Sequence, residues 1–182
     1  MSWTSSAAVT AMADELVDVI RTQLRSAELS FSFKAGEYEP DYITQFIMSL
    51  LDEVIADELD NRMGLEVAIG EAVINAIDYG CLELSSKLKA PDLHTPDLYG
   101  DLRLDRVKDP HYAEREIGIS LVLDSRRITV RICDPGPGVP PKLEKPKAIL
   151  PHGRGLALMR GLVDQVVIRR EPSVVTLTQF RK

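Results

Sequence analysis

Two runs of alternating residues in the second half of the chain constrain the fold more than any other feature. The runs "IGISLVLD" and "RITVRICD" place an apolar side chain at every second position, which is typical of a strand with one buried face. They meet around Asp124-Ser125-Arg126-Arg127, a connection short enough for a tight turn between antiparallel neighbours. The sequence therefore predicts an antiparallel β-hairpin here.

The segments on either side of this hairpin divide into helices and further strands. Residues 7–25 have apolar side chains at helical spacing, and two more helices are predicted from Asp41 to about Ile55 and over roughly 64–87. The strand "ELSFSFKAG" lies between the first two helices, and a helix from Arg154 to about Val163 precedes the strands "QVVIRR" and "SVVTLTQF". This order predicts an α/β fold, a two-layer α/β sandwich with helices on one face of a mixed, mostly antiparallel sheet.

The length of 182 residues suits one compact domain, which we assign to residues 28–182. Residues 1–27 are expected to form a separate amphipathic helix, either a packing or homodimer surface or a partner-recognition element. The segment 88–113 contains three prolines and many charges, which indicates an excursion across the surface.

The composition excludes several classes of function. The formal net charge is −6 and the Lys and Arg residues are scattered, so we expect no nucleic acid partner. No uncharged stretch approaches the ~18 residues of a membrane span, and the N-terminal region is acidic where a signal peptide would be basic. We therefore expect a cytoplasmic protein with no membrane partner. Cys81 and Cys133 have no C-x-x-C spacing and are expected to be reduced thiols.

The third predicted helix, "EVAIGEAVINAIDYG", carries a polar stripe on an otherwise apolar surface. Glu71, Asn75 and Asp78 recur at i, i+4 and i+7 and so share one face. The stripe either faces solvent or lines a pocket. In a pocket, Glu71 would serve as a general base and the Asn75 oxygen would bind Mg²⁺, an ion that takes few protein ligands.

The sequence "DPGPG" follows the second strand of the hairpin. Asp134 stands at the strand end, where its carboxylate can accept the exocyclic amine of adenine. Gly136 and Gly138 lack a Cβ, which lets the backbone approach a flat base. The alternative is an ordinary turn.

A third motif, "HGRGLALM", places Gly153 and Gly155 immediately before a predicted helix. Free N–H groups at a helix start attract phosphate oxygens, and Arg154 or His152 would add positive charge. The alternative is a glycine-rich helix start with no ligand.

Together these motifs resemble the GHKL (Bergerat-fold) ATPase superfamily, in which an asparagine box, a D-x-G-x-G box and a G-x-G box occur in this order. The resemblance covers roughly residues 28–180. It implies Glu71 as the base, Asn75 as the Mg²⁺ ligand and Asp134 as the adenine anchor. The remaining candidates for nucleotide contact are Asp78, Gly136, Gly138, His152, Gly153, Arg154, Gly155 and Leu156.

Two segments, "EAVINAIDYGCLELSSKLK" and "GRGLALMRGLVDQVVI", are similar to sequences of the RsbW-type branch, the anti-sigma factor serine/threonine kinases. That resemblance implies ATP and Mg²⁺ as cofactors and a STAS-domain anti-sigma factor antagonist as the substrate. Phosphorylation of the antagonist would release the kinase to bind a sigma factor or another regulatory client. One alternative is a nucleotide-binding module that acts by protein binding without kinase activity, and another is an α/β domain that binds no nucleotide.

The chain departs from the family pattern at three places. Tyr79-Gly80 stands where many relatives have His-Gly, and Pro172-Ser173 precedes the last strand where Gly-Thr is usual. The lid between Gly138 and Gly153 is also short. These departures bear on ATP affinity and turnover more than on the fold.

Overall fold

A computed structural model describes residues 27–55, 59–85, 88, 97–137 and 155–181. The helical elements are α1 (Pro40–Ile55), α2 (Arg62–Ile74), a π-helix (Asn75–Cys81), α3 (Leu98–Arg106), α4 (Pro110–Ala113) and α5 (Gly155–Leu162). The strands are β1 (Ala27–Lys34), β2 (Glu116–Leu123), β3 (Arg127–Asp134), β4 (Gln165–Arg170) and β5 (Ser173–Phe180). The predicted helix over residues 7–25 lies outside the described residues.

The five strands form one sheet in the order β1-β2-β3-β5-β4. The predicted hairpin is confirmed as β2 and β3, and its turn is fixed by Asp124, whose carboxylate accepts the backbone N–H groups of Arg126 and Arg127. The α/β two-layer class is confirmed as well. Every pair among the described strands is antiparallel, so the parallel pairing of a mixed sheet is not found there.

The core lies between one face of the sheet and the helices. Alternate residues of β3, Ile128, Val130 and Ile132, are buried in the same apolar cluster as Ile43 and Ile47 of α1. Each such side chain contributes about 1.5–3 kcal/mol when it leaves water. Among the described helices, none is long and apolar enough to cross a membrane.

Helices α2 and α5 are joined at one end by Asn61. Its side-chain oxygen accepts the N–H of Gly64 and so caps α2, while its side-chain nitrogen donates to the carbonyl oxygen of Leu162. The start of α2 therefore lies beside the end of α5. This pairing brings the start of α5 toward the far end of α2.

The third predicted helix is shorter than expected and changes type along its length. It was predicted to run to about residue 87, whereas regular α-helix ends at Ile74 and the π-helix ends at Cys81. The N–H of Leu82 bonds to the carbonyl of Ile77, an i→i−5 contact. Glu83 then takes a left-handed φ of 50°, which ends the helix. Apolar periodicity alone does not reveal such a change in winding.

The described part of the predicted excursion contains two short helices, α3 and α4. Asp97 and Asp109 cap them by accepting the N–H groups of Gly100 and His111. Leu98 and Leu104 are exposed, whereas the same segment packs other apolar side chains against the core cluster. The excursion is thus attached to the domain.

Replacing Ile69 by Ala tests the assignment of the α2 face that is buried. Ile69 is fully buried, so the cavity left behind should lower the free energy of unfolding by about 2–5 kcal/mol. Val67 lies on the same helix but is 40% exposed, and its change to Ala should alter stability by no more than about 0.5 kcal/mol. Denaturant unfolding measures both variants, and equal losses would contradict the assigned face.

Candidate functional site

The end of strand β3 holds Asp134 in a fixed position. Strand register places Asp134 opposite Ser173, the first residue of β5. The Ser173 hydroxyl donates to Oδ2 of Asp134 at 2.8 Å, and the N–H of Gly136 donates to Oδ1 at 2.8 Å. Both carboxylate oxygens are therefore oriented by neighbouring groups.

Burial raises the pKa of Asp134 above its ordinary value, because a charged carboxylate is less stable away from water. The hydrogen bonds from Ser173 and from the Gly136 N–H oppose this shift by stabilising the charged form. Each oxygen has two lone pairs and uses one in these bonds. Asp134 can therefore accept a further donor from a ligand.

Glycines allow the end of the π-helix to approach Asp134 closely. A Cβ built on Gly80 would lie 2.3 Å from Oδ1 of Asp134, and one built on Gly136 would lie 2.6 Å from the Cα of Gly80. Real Cβ atoms do not come this close, so bare backbone is required at both positions. The sequence predicted a role for Gly136, whereas the contact of Gly80 was missed.

Glu71 and Asn75 face the start of α5. A Cβ on Gly155 would lie 2.4 Å from Oε2 of Glu71 and 3.6 Å from Nδ2 of Asn75. Both side chains are partly exposed, and neither has a hydrogen-bond partner among the residues that the structure describes. The first N–H groups of a helix also have no intrahelical partner. A carboxylate, an amide and a helix N-terminus thus meet at Gly155.

Asp78 departs from the predicted shared face. It is 5% exposed, and its carboxylate accepts the Tyr99 hydroxyl at 2.7 Å and Nε of Arg103 at 3.1 Å. Burial, together with this carboxylate, raises the pKa of Tyr99, which keeps the phenol a neutral donor. A π-helix has more residues per turn than an α-helix, so the three steps from Asn75 to Asp78 rotate the side chain through a smaller angle than they would in an α-helix. Asp78 therefore contacts α3.

The remaining candidates divide into two groups. Leu156 is half-buried and packs against the core cluster. Gly138, His152, Gly153 and Arg154 lie outside the described residues. The sequence analysis assigned no role to Ser173. A signal for one was available, because Ser173 stands where the resembled family usually has the threonine of Gly-Thr.

The two ends of the site differ in chemistry. At one end, the oriented carboxylate of Asp134 lies against bare backbone and suits a flat group with a hydrogen-bond donor. At the other, Glu71 and Asn75 suit a metal-bound phosphate chain at a helix N-terminus. Glu71 and Gly80 are nine positions apart along the helix, a distance of roughly 13 Å at the α-helical rise. The residues present therefore fit an extended nucleotide with its metal ion.

A separate cavity of about 370 Å³ lies at the opposite end of α5. It is lined by Asp60, Asn61, residues 161–164 and residues 179–181. None of these residues belongs to the candidate site.

Comparisons with known proteins identify the family to which the chain belongs. The family profile of the histidine kinase-like ATPase domain matches residues 39–179, most of the chain. A search of curated proteins gives no match. Among solved structures, the crystal structure of the RsbU and RsbW domains of Rv1364c from Mycobacterium tuberculosis aligns with 97% of this chain, at 15% identity and a TM-score of 0.47. The alignment covers 48% of that structure's chain, so this chain spans about half its length.

Replacing Ser173 by Ala tests the geometry around Asp134. Loss of the hydroxyl removes a bond that stabilises the carboxylate, so the pKa of Asp134 should rise further. The folded state then binds this proton more tightly than the unfolded chain does. The unfolding free energy should therefore fall as pH rises from 3.8, the ordinary pKa of aspartate, through the raised pKa of Asp134 in the folded state. Carboxyl-carbon NMR titration follows Asp134, and unfolding measured across that interval follows stability.

Ser32→Ala is the matched control, because the Ser32 hydroxyl also donates to a carboxylate, that of Glu116, at an exposed position. It should leave the titration of Asp134 unchanged. An Asp134 that titrates identically in Ser173→Ala and in the wild type would disprove the contact.

Proposed function

The chain belongs to the histidine kinase-like ATPase domain family, and on that premise we propose that it is an ATP-dependent serine/threonine protein kinase of the anti-sigma type. Its substrate is a serine or threonine of a STAS-domain antagonist. Phosphorylation releases the antagonist and frees the kinase to bind a sigma factor or a similar client in the cytoplasm. ATP and Mg²⁺ are the cofactors of the proposed reaction.

The main support for this proposal is that the side chains of Glu71 and Asn75 both lie beside Gly155. Two polar side chains without partners among the described residues point to the same position at the start of α5. Their spacing of one α-helical turn supports the proposed roles of Glu71 as a base and Asn75 as a neighbouring metal ligand.

At the adenine end, Asp134 accepts the exocyclic amine, and Gly80 and Gly136 present bare backbone beside its carboxylate. The bond from Ser173 keeps the carboxylate aimed at the base. A hydrogen bond to a charged acceptor contributes about 1.5–3 kcal/mol. Specificity for adenine follows from this pairing.

In the proposed reaction, Glu71 accepts the proton of the substrate hydroxyl as its oxygen bonds to the γ-phosphorus. The bond between that phosphorus and the bridging oxygen of ADP breaks. Asn75 would hold Mg²⁺ through its side-chain oxygen, and the ion would supply positive charge to offset the charge that develops on the phosphates. The N–H groups at the start of α5 bind phosphate oxygens. Most of the rate enhancement comes from positioning.

The competing function is a regulatory module that binds nucleotide and partners without transferring phosphate. Nucleotide binding is common to both proposals, so phosphotransfer to the antagonist separates them.

Glu71→Gln preserves shape but removes basicity, and should lower phosphoryl transfer to the antagonist by roughly 10²–10⁴-fold with little loss of nucleotide affinity. Asn75→Ala should instead weaken Mg²⁺-dependent nucleotide binding. The measurements are transfer of labelled phosphate from ATP to purified STAS-domain proteins of the same organism and calorimetry with a non-hydrolysable analogue.

Glu66→Gln is the control, since Glu66 lies on the same helix but pairs with Arg62. It should affect neither quantity. Equal transfer by wild type and Glu71→Gln would remove Glu71 as the base. A wild type that binds ATP and phosphorylates no STAS-domain protein would favour the regulatory module.

A further inference from the structure

Two arginines of the excursion, Arg103 and Arg106, and Arg115 just after it reach the end of the π-helix. Arg106 donates to the carbonyl oxygen of Leu82, Arg115 donates to that of Cys81 at 3.0 Å, and Arg103 donates to the carboxylate of Asp78 at 3.1 Å. We call Arg103, Arg106 and Arg115 the arginine clamp. All three contacts join residues far apart in sequence.

The clamp satisfies groups that a helix end leaves unpaired. The last carbonyls of a helix have no intrahelical donor and carry partial negative charge, so cationic donors stabilise them. Arg115 also bonds to the carboxylate of Glu83 at 2.7 Å and lowers its pKa. Glu83 is the residue with the left-handed φ of 50°, which a non-glycine residue adopts at a cost. Arg115 therefore helps to hold the strained turn that ends the helix.

The clamp is itself held in place. The ring of Tyr112 lies under both Arg106 and Arg115, with centroid distances of 4.6 and 5.1 Å. Arg103 bridges to Glu39 at 2.8 Å, beside the start of α1. The guanidinium groups thus have defined positions relative to the domain.

The clamped residues flank Gly80. Cys81 and Leu82 follow it directly, and Gly80 is the residue whose backbone lies against Asp134 and Gly136. Because these contacts leave no free space, a shift of the helix end by a fraction of an ångström moves Gly80 against both partners. The excursion is therefore mechanically coupled to the base end of the candidate site.

We infer that the arginine clamp positions the base end of the nucleotide site by fixing the π-helix end at Gly80. Arg103, Arg106 and Arg115 are positioning residues, and the inference rests on the proposed nucleotide-binding function.

The test compares Arg106→Ala with Arg106→Lys in the 182-residue chain. In Arg106→Ala, the amide resonances of Gly80 and Gly136 should move in the nucleotide-free protein, and the Kd for AMP-PNP with Mg²⁺ should rise roughly 2- to 30-fold. Lysine keeps one cationic donor for Leu82 and its contact with the Tyr112 ring, so it should restore both quantities. Arg62→Ala, the control, removes an arginine bonded to Asp52 and Glu66, and should change neither.

Unmoved Gly80 and Gly136 resonances in Arg106→Ala would overturn the inference, as would moved resonances with a wild-type Kd. Should Arg106→Ala not fold, Arg115→Ala removes the neighbouring contact and is judged by the same readouts. A wild type that binds no AMP-PNP contradicts the proposed function instead. The resonances of the nucleotide-free variants would then still decide whether the clamp positions Gly80.

Discussion

The close approach of Gly80 to Asp134 is the contact on which the candidate site depends. A carboxylate at a strand end is buried enough for its pKa to rise, and it is held there by Ser173 and by the Gly136 N–H. The π-helix end lies directly against it, because neither Gly80 nor Gly136 has a side chain. This contact joins the helical layer to the sheet at the place where a base would bind.

The change from α- to π-helix organises the rest of the site. Up to Asn75 the helix is regular, so Glu71 and Asn75 face α5 together. Beyond Asn75 the wider winding turns Asp78 toward α3, where Tyr99 and Arg103 bind its carboxylate. One helix therefore presents polar side chains to two surfaces. π-Helical turns recur at functional sites, where they redirect side chains in this way.

Structural features that depend on local sequence pattern were predictable from the sequence. Features that depend on contacts between distant parts of the chain were not. Period-two alternation located the hairpin, and the motifs placed Asp134, Gly136 and Gly155 near helix or strand ends, as observed. The departure of Asp78 was not predicted, because apolar spacing does not distinguish α- from π-helix. The contact of Ser173 with Asp134 depends on strand register. The clamp depends on side chains distant in sequence.

We propose that a nucleotide lies along the end of α2 and the π-helix, from Glu71 to Asp134. Titration of the ¹⁵N-labelled protein with AMP-PNP and Mg²⁺, followed by amide chemical shifts, tests it most directly. We expect saturable shifts that are largest at Gly80, Gly136, Gly155 and Ser173. Saturable shifts confined to the cavity near Asn61 and Gly161, or no saturable shift at all, would contradict it.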